Sequence, residues 1–213
     1  MKLLFIANGG LGNKFASEFF SNFDHIVCVD GGLNELCDNY RDYQPTFILG
    51  DLDSARKDLL EKYRPSSQII FKDNQDESDL TFALRYFLEK PDMEIDEIVL
   101  TGVVGGRIDH TICNILTLRQ IPGEIRAKII TASGEELFLV REKLVLDNIQ
   151  RKTLSLVPLT DIQNLNCAGT RWLLEKANLP FGFVNGISNV ADDDRVSISL
   201  AAGELLVIIN QSI

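Results

Sequence analysis

The chain has 213 residues, 45% apolar and 24% charged, the proportions of a soluble globular protein with room for one large domain or two small ones. Its formal net charge of −10 and pI near 4.7 exclude nucleic acid and anionic membrane as partners drawn by the overall field. Any polyanionic ligand must therefore be held by local donors or by a metal. No apolar run reaches the roughly 18 residues of a membrane span, and "MKLLFIANGG" is too soon broken by glycine for a signal peptide. The four cysteines, Cys28, Cys37, Cys113 and Cys167, lack C-x-x-C spacing, so reduced thiols in a cytoplasmic protein are expected.

In chain order, "LLFIA", "HIVCV", "TFIL", "QIIF" and "EIVLTG" are short, continuous apolar runs that read as buried strands. Between them "NKFASEFFSNF", "ARKDLLEKY" and "SDLTFALRYFLEK" read as helices. In the last, Leu80, Ala83, Leu84, Phe87 and Leu88 fall on one face and Pro91 ends the run. Another helix is expected from about Asp109 to Ile121. Alternating strands and helices predict an open, mostly parallel α/β sheet of the Rossmann-like kind over residues 1–125, with ligands at the carboxyl ends of its strands. From about residue 126 the rhythm changes. "AKIITA", "ELFLVR", "KTLSLVPL", "VSISLA" and "ELLVIIN" are strands without helices, and "RVSISLAAGELLVII" reads as a hairpin through Ala-Gly. Residues 126–213 are thus expected to form a smaller all-β domain, a sandwich with a barrel as the alternative.

Four polar clusters follow the first-domain strands. "VDGGLNEL" places Asp30, a glycine pair and Asn34 at a strand-to-helix turn, where free N–H groups suit phosphate; a tight turn explains the glycines equally well. "GDLDSA" sets Asp51 and Asp53 two residues apart, able to face one point. Two such carboxylates raise each other's pKa unless a cation lies between them. Capping of the helix expected near Ala55 explains one of them but not both. "DNQDESDL" brings Asp73, Asp76, Glu77 and Asp79 before the strongest helix, where the helix dipole alone favours acids. With the preceding pair they could form an oxygen-rich cage, and an all-oxygen set favours Mg²⁺. "TGVVGGRIDH" supplies Arg107, suited to bidentate phosphate contact, and Asp109; His110 reads as a helix-start residue.

Together these stretches resemble the thiamine pyrophosphokinase family. Its D-G-G-x-N, G-D-x-D-S, Q-D-x-[ST]-D and G-G-R-x-D-x-x-x-x-N motifs are matched, in order, by Asp30 to Asn34, Gly50 to Ser54, Gln75 to Asp79, and Gly105 to Asp109 with Asn114. In the second half "GTRWLL" and "GISN" match the family's later motifs, so the resemblance covers essentially the whole chain. It implies that residues 1–125 bind Mg-ATP and catalyse, and that residues 126–213 bind thiamine. It further implies that the thiamine hydroxyl attacks the β-phosphorus of ATP, giving thiamine diphosphate and AMP. Asp51, Asp53, Asp79 and Arg107 are then the expected catalytic residues, and Asp51, Asp53, Asp76 and Asp79 the metal-region carboxylates. Asp30, Gly31, Asn34, Gln75, Arg107 and Asp109 would hold the nucleotide or its phosphates. Thiamine, a flat cation, would meet Trp172, Ser188 and Asn189; the alternative for Trp172 is a place in the β-domain core. Val190 stands where many relatives have an acid, which leaves Asp192 to Asp194 to supply that contact. The family also implies a homodimer with a site shared between chains.

Three rivals remain at this level: a phosphatase of the haloacid-dehalogenase type with Asp51 as nucleophile, a non-catalytic nucleotide-binding module, and a diphosphokinase for another small alcohol. The first usually carries D-x-D after its first strand, whereas here the motif follows the third.

Overall fold

The apolar runs of the first half become strands β1 (Lys2–Ile6), β2 (His25–Val29), β3 (Phe47–Gly50), β4 (Gln68–Phe71), β5 (Glu97–Thr101) and β6 (Arg126–Ile130). The structure is a computed structural model describing residues 1–12, 14–73 and 75–210, and the chain divides into two units, Met1–Ser133 and Gly134–Ile213. In the first unit the strands pair in parallel in the order β6-β5-β1-β2-β3-β4. The strand β6, which the sequence placed in the β-rich half, pairs with β5. The division therefore falls after Ser133 and not after residue 125.

Helices α1 (Ser17–Phe20), α2 (Gly32–Asn39), α3 (Lys57–Tyr63), α4 (Asp79–Leu88) and α5 (Ile108–Leu116) connect the strands. Successive strand residues point to opposite faces, and both faces are covered. On one side Leu4 and Ile6 of β1 share a core with Leu33 and Leu36 of α2 and Leu59 and Tyr63 of α3. On the other, Phe87 of α4 lies edge-on to Phe5 and Phe47, with ring centroids 5.5 and 5.0 Å away. The connections run outward from β1 to β4, then return to place β5 on the far side of β1. A topological switch point therefore lies between β1 and β5, and the crevice beyond the strand ends opens there.

Three expectations are corrected. The helix read in "NKFASEFFSNF" shortens to α1, and Asn13 lies outside the described residues. The helix expected from Asp109 to Ile121 ends as α5 at Leu116 and continues as a 3₁₀ turn over Thr117–Gln120. The run "QIIF" is an edge strand and not a buried one: Ile69 and Ile70 are half-buried and Phe71 is exposed, because among the described residues no strand pairs beyond β4.

The second unit contains β7 (Glu136–Val140), β8 (Lys143–Leu146), β9 (Thr153–Pro158), β10 (Ile162–Ala168), β11 (Leu174–Leu179), β12 (Asn189–Val190), β13 (Val196–Ser199) and β14 (Leu205–Asn210). They form two antiparallel layers, β12-β9-β14-β7 and β11-β10-β13-β8, and no helix occurs among its described residues. Leu154, Leu156, Val207 and Ile209 of one layer share a core with Leu165, Cys167, Val196 and Ile198 of the other, which makes the unit a sandwich. The hairpin expected through Ala202-Gly203 does not form. Its strands join different layers, β13 between β10 and β8, and β14 between β9 and β7. The reason is burial: Val196 and Ile198 of β13 and the continuous apolar run of β14 must meet across one core, and the linking segment crosses from layer to layer instead of folding back.

Phe87 is fully buried and anchors α4 to the sheet. Phe87→Ala should lower the unfolding free energy in a denaturant titration by about 3–5 kcal/mol, the usual cost of emptying such a site. A loss under about 1 kcal/mol would mean that α4 is not held by this contact.

Candidate active site

The crevice at the switch point holds a cavity of about 470 Å³, lined from the carboxyl ends of five parallel strands, β1 to β5. Its floor is main chain against main chain. A Cβ on Gly32 would lie 1.9 Å from the carbonyl oxygen of Ile6, and one on Gly102, whose φ is +65°, 2.2 Å from that of Ala7. Glycine is therefore required on both counts, steric at Gly32 and also conformational at Gly102. Neither Gly31, with φ −59°, nor Gly32 takes a positive φ, so a tight turn does not explain the pair; what requires glycine is the close packing of Gly31 on the Asn8 amide and of Gly32 on Ile6, where α2 starts against the end of β1.

The Asp51-Leu52-Asp53 sequence is explained by its middle residue. Leu52 takes a left-handed φ of 59° and packs against the sheet core, with Asp51 lining the cavity on one side and Asp53 exposed on the other. The Ser54 main-chain N–H donates to Asp30 Oδ1 at 3.1 Å, which draws the end of β2 to the same point. Carboxylate oxygens of Asp30, Asp51 and Asp53 come within 4.8 Å of one another. Burial pushes the Asp30 carboxyl above its usual range, the hydrogen bonds from Gly31 and Ser54 oppose this, and the Asp79 charge adds to it. Neither aspartate of the pair caps a helix: α3 begins at Lys57 with Arg56 at its N-cap and no side-chain cap bond.

Not every expected residue joins this group. Ser78 caps α4, accepting from Thr81 N at 3.1 Å, so the helix starts at Asp79 and Asp76 lies ahead of it, exposed and away from the cavity lining. Asp79 faces the cleft from behind, its Oδ1 accepting from the Asp51 N–H at 3.1 Å and pairing with Lys72 Nζ at 3.0 Å. Gln75 lines the cavity and donates from Nε2 to Asp51 Oδ2 at 3.3 Å. Asn34 is turned to structure, donating to Ser54 O at 2.8 Å and accepting from Arg56 N at 2.9 Å, and so clamps the Asp51–Ser54 loop onto α2.

Arg107 and Asp109 form a two-bond ion pair at the exposed mouth, Nε to Oδ1 at 3.1 Å with a second bond from Nη2 to Oδ2. The guanidinium holds the Asp109 carboxyl down at about 2. Arg107 and His110 both line the cavity, and Asn114 reaches it while donating to Val103 O at 3.0 Å.

Two contributors escaped the sequence reading. Asn8, which follows β1, packs its amide against Gly31. The signal was the Asn8-Gly9-Gly10 run after a strand, the same pattern as Asp30-Gly31-Gly32. Lys72, 3% exposed, lies directly at the end of β4. Its signal was a lysine closing a strand just ahead of an acidic run.

In the second unit Trp172 is 58% exposed, which overturns the core alternative. Asn189 is buried and its amide is fully committed: Oδ1 accepts from Trp172 N and Val190 N, and Nδ2 donates to Trp172 O and Thr170 Oγ1. It holds the main chain that presents Trp172. Ser188 is exposed in a left-handed conformation, φ 60°, and Asp192 pairs with Arg171 at 3.1 Å. A second cavity, about 430 Å³ beside β10 and β11, gathers no charged side chain except Asp161, whose carboxylate accepts from Phe181 N.

The family model described as thiamin pyrophosphokinase, catalytic domain, matches residues 16–130, and thiamin pyrophosphokinase, vitamin B1 binding domain, matches residues 142–205. The chain is 28% identical to thiamine pyrophosphokinase of Bacillus subtilis over 216 residues, 98% of each chain. It is 26% identical to thiamine pyrophosphokinase 3 of Oryza sativa over 219 residues, 91% of this chain and 81% of the relative. The crystal structure of the Bacillus subtilis protein matches with a TM-score of 0.83 at 25% identity, covering 100% of both chains. With the catalytic-domain model alone spanning more than half of its length, the chain belongs to the thiamine pyrophosphokinase family.

Proposed function

We propose that this chain transfers the pyrophosphoryl group of ATP to the hydroxyl of thiamine, giving thiamine diphosphate and AMP. The observation that carries the reading is the meeting of a three-carboxylate oxygen set with Lys72 and Arg107 at one crevice. In a chain of net charge −10, that crevice is where a polyphosphate can be held. The thiamine hydroxyl oxygen bonds to the β-phosphorus as the bond from that phosphorus to the α,β-bridging oxygen breaks. AMP leaves with that oxygen, and the hydroxyl gives up its proton. Such transfers need little covalent chemistry from the protein, and positioning with charge neutralisation carries them.

Asp30, Asp51 and Asp53 fit a hard divalent cation, since every donor is a carboxylate oxygen and the three lie together. They would hold Mg²⁺, which when bound supplies neutralisation of the ATP phosphates. Asp79 fixes the Asp51 main chain, Gln75 orients the Asp51 carboxylate, and Asn34 keeps their loop against α2. Arg107, steered by Asp109, offers a planar donor pair to phosphate. The Gly31 N–H is taken by the Asp30 carboxylate, and the Leu33 and Asn34 N–H groups by the carbonyls of Asp30 and Gly31, so the phosphates are left to Arg107 and the cation. In the second unit the exposed face of Trp172 and the Ser188 hydroxyl would receive the thiamine cation, with Asn189 as the support of Trp172.

We further infer a homodimer with the site shared between chains. Two apolar surfaces support it, each described in its own unit. None of the α5 residues is buried, and Ile108, Ile112 and Leu116 make an exposed stripe along it. In the second unit Leu173, Phe181, Val184 and Ile187 are all more than 60% exposed. No described helix is long and apolar enough to cross a membrane, and the cytoplasm, where ATP is at hand, is the proposed location.

Incubation with ATP, Mg²⁺ and thiamine should yield AMP and thiamine diphosphate; ADP, free phosphate or no product would overturn the assignment. Asp51→Asn should keep the fold, judged by circular dichroism, and lower kcat at least about 100-fold, the scale of losing a preorganised charge contact; near-normal turnover would remove Asp51 from the site. Trp172→Ala should raise KM for thiamine at least about tenfold, the range of a desolvated cation–π contact, and KM for ATP little; equal effects would deny it the thiamine contact. Light scattering should give a dimer mass that falls to the monomer in Ile108→Lys/Ile112→Lys, and a monomeric active wild type would refute the shared site.

A further inference from the structure

Burial is inverted at the end of β4. Phe71 is 63% exposed while the next residue, Lys72, is 3% exposed. Lysine is almost never buried without a partner, so the partner and not partitioning sets this arrangement. Nζ lies 3.0 Å from Asp79 Oδ1 and donates to the main-chain carbonyl of Glu77 at 2.8 Å. The same Asp79 oxygen accepts the Asp51 N–H. One carboxylate oxygen thus joins the ammonium to the first residue of the Asp51–Ser54 loop. Among the described residues, the carboxylates whose oxygens all lie within 4.8 Å of one another are Asp30, Asp51 and Asp53; Asp79 is not in that group.

We propose that Lys72 is a built-in cation of this site, a positioning residue that neutralises Asp79 and withdraws it from the divalent-cation set. The inference rests on the reading of Asp30, Asp51 and Asp53 as that set. Its physical content is a charge count. Without the ammonium a fourth carboxylate would face the same crevice, raising repulsion among the aspartates when no metal is bound and drawing additional cation when metal is present. With it, one carboxylate is balanced permanently, and the Asp51 loop keeps its place before substrate arrives. Lys72 touches none of the other three aspartates in the described contacts, so it acts through Asp79.

The test uses the whole chain without nucleotide. Free Mn²⁺ is followed by electron paramagnetic resonance in titrations of the wild type, Asp51→Asn, Lys72→Met and the double variant Lys72→Met/Asp79→Asn. Asp51→Asn should weaken Mn²⁺ binding at least about tenfold, as loss of one charged ligand does. If it does not, the three-aspartate reading fails and the role of Lys72 falls with it. Lys72→Met should bind Mn²⁺ at least about fivefold more tightly or take up one further ion, because an unbalanced carboxylate has been released. The double variant, again balanced, should return to within about threefold of the wild type. With Asp51→Asn behaving as expected, Lys72→Met binding no more tightly than the wild type, or a double variant outside that threefold range, would overturn the role of Lys72 alone. If Lys72→Met does not fold without metal, Mg²⁺ should restore its melting transition towards the wild-type value. Failure of Mg²⁺ to do so, or a double variant that also fails to fold, would mark Lys72 as a packing residue only.

Discussion

At the ends of β1, β2 and β5 the main chain lies on the main chain with no room for a methyl group, and the rest of the site is arranged around that contact. Gly32 meets the carbonyl of Ile6, and Gly102 meets that of Ala7. Side chains are thereby excluded from the floor of the crevice, and what remains is N–H, C=O and open volume. The walls come from the neighbouring strand ends: Asp30 from β2, Asp51 and Asp53 from β3, Lys72 from β4, and Arg107 after β5. Since the strands are parallel, all these side chains arrive at one edge; Asp30, Asp51 and Lys72 bond main-chain groups, Asp53 the Ser54 hydroxyl and Arg107 the Asp109 carboxylate.

Electrostatics then divides the labour. The overall field of the chain opposes an anionic ligand, so attraction must be local and must survive the charges next to it. The crevice mixes signs at short range: a buried ammonium against Asp79 and a guanidinium gripped by Asp109 flank the grouped carboxylates. Among them Asp30 resists ionisation, its carboxyl pushed above the usual range by burial. Such a site is costly when empty and gains most from a ligand that brings cation and polyanion together.

Much of this was legible in the chain because its signals are local. Strands of the first unit announced themselves as continuous apolar runs, and the polar clusters lay at their ends because a parallel sheet puts them there. The Asp51/Asp53 pair was recognisable from spacing alone. What could not be read depended on contacts distant in sequence. The placement of Asp76 turned on which residue starts α4, settled by the Ser78 hydroxyl. Asn34 and Asn189 look like ligand-binding amides in the sequence and prove to be clamps, because their partners are main-chain groups 17 to 22 residues away. Lys72 is invisible as a buried residue until Asp79 is folded beside it. The apparent hairpin at Ala202-Gly203 failed for the same reason, since two apolar-rich strands near each other pair equally well with each other or with third parties.

That crossing has a consequence for the order in which the chain acquires structure. The strand β14 is central to its layer, flanked by β9 and β7, while β13 is central to the opposite one. Neither layer can close by local folding of adjacent segments, and each waits for a strand on the far side of a short link. During synthesis the first unit can assemble as its strands emerge, whereas the sandwich stays open, with apolar faces unpaired, until Leu205–Asn210 has left the ribosome. The surface that carries Trp172 is therefore among the last parts of the molecule to take shape, and its chain is the most in need of protection from premature association.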